Sequence, residues 1–302
     1  MKKLFLLAVI CLFAAGCSNE SDSLEFVENN RSQEMATVNV HLGGFKTSVE
    51  EISQSPTRAV QSVKDYTKVK HITLAFYDSN NAEQAKVVQM RDNLAEGTTF
   101  GEFSCQLPVG TYTMVVVASA WYDGDAFELT SPTVAAFTGG KARETFAATK
   151  SVTVNGTSTL EETVTLNRIV SKLDIWSTEN IPSDIDNMRV TFGGGSRAFN
   201  PTTSVAADNN GVNLTVEITE NLKNKICHLT SFVFLTEDPQ SMVITIEALD
   251  GDNQVKFRRV VENVPFKRNR GTKLTGELFT ARPSSFTMSI EDSWLEEYAM
   301  DF

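Results

Sequence analysis

Histidine and cysteine are scarce in this chain of 302 residues. There are three histidines (His41, His71, His228) and four cysteines (Cys11, Cys17, Cys105, Cys227). No His-x-x-x-His pair occurs, so the sequence offers no metal site and implies no metal or other cofactor. Four cysteines are too few for a disulfide scaffold. Glycine and proline number 17 and 8, which excludes collagen-like and low-complexity classes. Positive charge is also short. The formal net charge is -11, which makes a phosphate backbone a poor partner and argues against nucleic acid binding. Long apolar runs are missing too, because no stretch reaches the ~20 residues that a membrane helix needs.

Familiar catalytic patterns are incomplete. Gly193-Gly194-Gly195-Ser196-Arg197 lacks the spacing and the Lys-Ser/Thr pair of a phosphate loop. Ser196 is not in a nucleophile elbow, since Ala198 stands where the second glycine belongs. Asp250-Gly251-Asp252-Asn253 starts like a calcium loop but lacks its closing ligands and reads as a turn. Carboxylates are plentiful, but nothing singles out a catalytic pair. The expectation is a protein without enzyme activity and with no catalytic residues.

The N-terminus is more informative. Lys2 and Lys3 precede an uncharged apolar run, Leu4 to Ala15, which reads as a secretory signal over residues 1–16. Phe13-Ala14-Ala15-Gly16-Cys17 resembles a bacterial lipobox, so Cys17 is the expected lipidation site. Acyl chains there would hold the chain on a membrane without a transmembrane helix. Residues 17–35 are polar and acidic and read as a tether. Cys105 alternates with Phe103 and Leu107, so it reads as a small core residue, as does Cys227.

From Ala36 onward the dominant period is two. Val38, Val40 and Leu42 alternate with polar neighbours; Ile72, Leu74 and Phe76 alternate with His71, Thr73 and Ala75. Tyr112 to Ala118, Met188 to Phe192, Val212 to Ile218 and Met242 to Ile246 repeat the pattern. Such runs predict half-buried strands, about fourteen in all, and turn signals such as Asn155-Gly156 and Asn210-Gly211 separate them. Strands without long intervening helices favour antiparallel sandwiches. Thr163 to Trp176 is too long for one strand, which places a domain break near Asn167 and Arg168. The expected domains are an N-terminal β-sandwich over 36–167 and a C-terminal one over 168–302.

Four stretches carry a resemblance to a known family. They are Val38-Asn39-Val40-His41-Leu42-Gly43-Gly44-Phe45, Leu107 to Val116, Leu166 to Leu173, and Asn263 to Phe279. In them the chain resembles the fimbrillin-like fimbrial proteins of Bacteroides-type bacteria, closest to their anchor and minor-subunit branch. The resemblance implies an all-β fold of two tandem transthyretin-like antiparallel β-sandwich domains. It implies a structural lipoprotein at the cell outer membrane, surface-exposed and part of a fimbrium. Its implied partners are other fimbrial subunits, the outer membrane through the N-terminal lipid, and host or bacterial surface receptors.

Anchor members of the family stay lipidated and uncut. Shaft members are cut after an arginine in a loop of the first domain, and the groove so opened accepts a neighbour's strand. Here Arg58-Ala59 is the matching candidate bond. The candidate exchange strands are Val38, Val40 and Leu42 at the front and Phe286, Met288 and Ile290 at the back. Anchor or accessory subunit is the leading reading, and a matured shaft subunit is the alternative. A reading of a different class is a glycan- or protein-binding surface lipoprotein, with Trp121, Tyr122 and Phe127 as an aromatic platform. The basic group Lys256, Arg258, Arg259, Lys267, Arg268 and Arg270 reads as solvated strand ends or a patch for an acidic partner. The acidic, aromatic tail (Trp294 to Phe302) has no counterpart in the family pattern.

Overall fold

The structure is a computed structural model. It describes residues 34–47, 60–281, 285–291 and 300–301. Cys17, Arg58 and Ala59 lie outside the described residues.

Among the described residues the chain forms strands and no α-helix. The strands of the first half are β1 (Met35–Lys46), β2 (Val60–Gln61), β3 (Val69–Tyr77), β4 (Glu83–Met90), β5 (Glu102–Pro108), β6 (Gly110–Ala120), β7 (Phe127–Ser131), β8 (Val134–Phe137), β9 (Thr145–Val154) and β10 (Leu160–Arg168). Those of the second half are β11 (Ser171–Asn180), β12 (Asn187–Phe192), β13 (Ala198–Asn200), β14 (Val205–Ala206), β15 (Val212–Glu217), β16 (Ile226–Val233), β17 (Gln240–Leu249), β18 (Val255–Phe266), β19 (Gly271–Gly276), β20 (Thr287–Glu291) and β21 (Met300–Asp301). This exceeds the fourteen expected, because two- and three-residue strands such as β2 and β13 are too short to show a period.

The first sheet folds over on itself. One leaf is β5-β1-β10 with β2 at the end of β1; the other is β9-β6-β3-β4. Among the described residues, strand pairing joins them where Asn167 and Arg168 of β10 meet Ala147 and Phe146 of β9. Val38, Val40, Leu42 and Phe45 of β1 meet Ile72, Leu74 and Phe76 of β3 and Met114 and Val116 of β6 between the leaves. The alternation expected from sequence thus lies against this core. The second half pairs a sheet β20-β19-β11-β16-β21 with a sheet β15-β12-β17-β18 over a separate core that includes Leu173, Ile175, Val190, Leu229, Ile244 and Leu274. Most pairings are antiparallel, as expected, but β1 runs parallel to β10, β11 to β19 and β16 to β21.

A fourth sheet, β14-β13-β8-β7, draws strands from both halves. Ala198 and Phe199 of β13 pair with Ala136 and Ala135 of β8. It covers a third core built from Phe137, Phe199, Phe234, Ile169 and Val170 and from the second faces of β3 and β6, namely Ala75, Tyr77, Val115 and Val117. Strands β3 and β6 are therefore buried on both faces, not half-buried. His71 and Thr73 also lie inside.

Burial of His71 has a measurable consequence. Its ring lies between Trp121 (centroids 4.8 Å apart) and Phe127 (5.6 Å). Thr73 Oγ1 is 3.3 Å from Nε2, and Nδ1 has no hydrogen-bond partner among the described residues. Burial disfavours the imidazolium and lowers the His71 pKa to about 4. From the ordinary value of 6.5 down to about 4, the unfolded chain binds a proton that the folded chain refuses. Stability therefore falls as pH drops through that window, by up to ~3 kcal/mol. In urea titrations between pH 7 and pH 4.5, His71→Phe is expected to flatten this loss. Parallel pH profiles for the two proteins would refute the assignment.

Candidate strand-assembly site

Strand β1 sits in a slot. Its residues Met35 to His41 pair antiparallel with Pro108 to Glu102 of β5, and Val38 to Lys46 pair parallel with Leu160 to Asn167 of β10. The inward side chains Val38, Val40, Leu42 and Phe45 are at most 3% exposed. On the outer face, polar side chains fix the register. Asn39 Nδ2 donates to Glu161 Oε1 (2.7 Å), Gln106 Nε2 donates to Thr37 Oγ1 (2.8 Å), and His41 Nδ1 meets Glu102 Oε1.

A bulge at Gly43-Gly44 shifts the register with β10, and pairing resumes from Gly44 to Lys46. Gly44 has φ of 145°, and a Cβ there would lie 2.5 Å from the Gln61 carbonyl oxygen, so β2 can close against β1 only over a glycine. The bulge turns Phe45 into the core, where its ring meets Phe146 (4.9 Å) and Tyr66 (5.7 Å).

Below this aromatic cluster lies an ionic joint. Arg168 and Glu144 are bonded at 2.7 Å, with side chains 3% and 6% exposed. The remaining donors of Arg168 reach the Thr47 carbonyl (2.8 Å), Asn269 Oδ1 (2.9 Å) and Tyr66 Oη (3.0 Å). Tyr66 Oη donates to Glu144 Oε1 (2.5 Å). Burial first, then the Glu144 charge, push the Tyr66 hydroxyl well above its ordinary pKa. One guanidinium thus ties the end of β1, the turn before β3, the start of β9 and the turn before β19. Sequence reasoning read Arg168 only as a break point. The available signal was an arginine directly before the apolar pair Ile169-Val170, at the break in the long alternating run.

At the other end, Thr287 to Glu291 form β20, an edge strand paired antiparallel with β19. Met288 and Ile290 are each 42% exposed, while Phe286 packs against the second core. The front and back candidate strands therefore lie in different sheets, and each is already paired within the chain.

Two other expectations resolve differently, while the two cysteines sit in cores as expected. Trp121 stacks on His71, Phe127 packs on Phe137 and Phe199, and Tyr122 lies under the Arg143 guanidinium, so no shared aromatic platform forms. The basic group divides. Arg258 faces Glu247, Arg259 donates to the Glu277 and Thr280 carbonyls, and Lys267 to Arg270 lie in the turn between β18 and β19. Cys105 and Cys227 are free; burial raises both thiols, Cys227 to about 12.

A model of a family of unknown function (DUF6562) matches residues 32–301. No curated protein matches the sequence. Several solved structures share the fold. A candidate adhesin from Bacteroides ovatus is 10% identical with a TM-score of 0.51, over 84% of this chain and 96% of that one. The fimbrial anchor protein Mfa2 from Porphyromonas gingivalis is 11% identical with a TM-score of 0.51, over 85% and 98%. A candidate polysaccharide-binding protein from Bacteroides thetaiotaomicron is 10% identical with a TM-score of 0.50, over 86% and 99%. At these identities the likeness is one of fold.

Proposed function

The chain belongs to the DUF6562 family, and from that premise we propose that it is a structural protein of cell-surface fimbriae, an anchor or accessory subunit. In this reading it has two sandwich domains, 36–167 and 168–302, and Cys17 carries the lipid that holds it at the outer membrane. Its partners are other fimbrial subunits, met by pairing of β strands. The observation that supports the reading is the slot of β1. A twelve-residue strand fills an apolar groove between two strands that both hydrogen-bond to it. Such a groove is completed by one strand only, from the same chain or from another. The fold shared with a fimbrial anchor protein supports the same reading.

Whether β1 stays is what separates an anchor from a shaft subunit. Cleavage between Arg58 and Ala59 would release β1 together with Cys17, since both precede the cut. An uncut chain keeps strand and lipid. Intact mass and N-terminal sequence of the protein from its native cells decide between them. The anchor reading expects a lipidated chain beginning at Cys17. A chain beginning at Ala59, free of lipid and recovered in polymers, would overturn it.

A further inference from the structure

A cavity of about 500 Å³ opens where the shared sheet meets the start of β15. Its walls are the end of β8, the loop through Ser196 and Arg197, and the segment 208–213. It gathers Asn210-Gly211 and the residues that follow Gly193-Gly194-Gly195, Ser196 and Arg197. Glycine is required in both stretches. Gly211 has φ of 76°, and any Cβ on it would collide with the Phe192 carbonyl; a Cβ on Gly195 would lie 2.5 Å from Val233.

The walls are fixed before any ligand arrives. Gly195 N donates to Asn209 Oδ1 (2.6 Å), which also accepts from Gln240 Nε2 (3.1 Å). Asp208 accepts from Ser196 Oγ (3.2 Å) and from the Asn210 amide (3.0 Å). Arg197 Nη1 reaches the Gly140 carbonyl (3.4 Å). A site held this way loses little entropy on binding.

The lining narrows the ligand class. One guanidinium (Arg197) and one carboxylate (Asp208) balance, so neither an anion nor a metal cation is favoured. Around them stand the exposed amides Asn210 and Asn213 and the Thr138 hydroxyl, with Ala136 and Val212 as apolar floor. Amide, carboxylate and guanidinium groups complement hydroxyls that both donate and accept, and the floor suits C–H faces. The volume falls within the ~300–1,000 Å³ of small-molecule sites, which favour junctions between structural units. We propose that this cavity is a binding site for a neutral saccharide, a function additional to assembly and separate from β1.

The test is saturation-transfer NMR on the full chain. The probes are glucose, galactose, mannose, N-acetylglucosamine, lactose and maltose, each titrated to about 10 mM, a range suited to weak binding. At least one sugar is expected to bind saturably. Arg197→Ala combined with Asn213→Ala is expected to weaken it by about tenfold or more, the scale of one lost hydrogen-bonding group. The melting temperature of the double variant should stay unchanged, because both side chains are exposed. If the pair does unfold the chain, Asn213→Ala alone carries the same expectation. Absence of saturable binding for all six sugars, or binding equal to wild type in the variants, would overturn the proposal.

Discussion

Replacing Arg168 with methionine is expected to destabilise the protein by roughly 3–5 kcal/mol, the usual result of removing one partner of a buried ion pair. Glu144 would keep its charge at 6% exposure, with Tyr66 Oη as its remaining hydrogen-bond donor. The Thr47 carbonyl and Asn269 Oδ1 would lose the bonds that Arg168 gives them. For a chain of this size the melting temperature should fall by about 10 °C. The double variant Arg168→Met with Glu144→Gln removes the stranded charge and should recover part of the loss. A melting temperature for Arg168→Met within about 2 °C of wild type would show that the joint is not held this way.

The second large effect concerns β1. Fully burying a side chain such as Val, Leu or Phe contributes about 1.5–3 kcal/mol, so Val38, Val40, Leu42 and Phe45 together contribute roughly 6–12 kcal/mol. That equals the entire stability of a typical domain, about 5–15 kcal/mol. A chain beginning at Val60 is therefore expected not to fold on its own. A synthetic peptide of residues 34–47 added in trans should restore cooperative unfolding. The same peptide with Val40→Asp should fail, because it would place a carboxylate at a position 1% exposed. A truncated chain that melts like the parent without peptide would remove the basis for strand exchange through this slot.

Much of the architecture was legible from periodicity. Val38, Val40 and Leu42 point inward as their alternation requires, and Cys105 packs at the edge of the same core. Glycines at 156 and 211 take positive φ in the connections between strands. These features are local: a period of two and a turn residue act within a few positions of themselves.

What escaped was set by distant neighbours. His71, Thr73 and Ala75 look like a solvent face, yet all three are buried, Ala75 in the third core and His71 against Phe127 of β7. A short apolar run buried on both sides carries no period that distinguishes it from a half-buried one. The aromatic residues 121, 122 and 127 seemed one group by proximity in sequence, yet Trp121 and Phe127 each pack against the His71 ring and Tyr122 turns to Arg143.

By itself, then, the sequence determined strand positions, turn positions, the excess of negative charge and the lipobox-like N-terminus, because each depends on residues within a short window. The tertiary structure alone decided which strands share a sheet across the break at 169–170, that Arg168 must meet Glu144, and that the loop at Ser196-Arg197 and the segment 208–213 line one polar cavity. Those contacts join residues from 12 to more than 100 positions apart. Their partners are selected by packing, which no local pattern encodes.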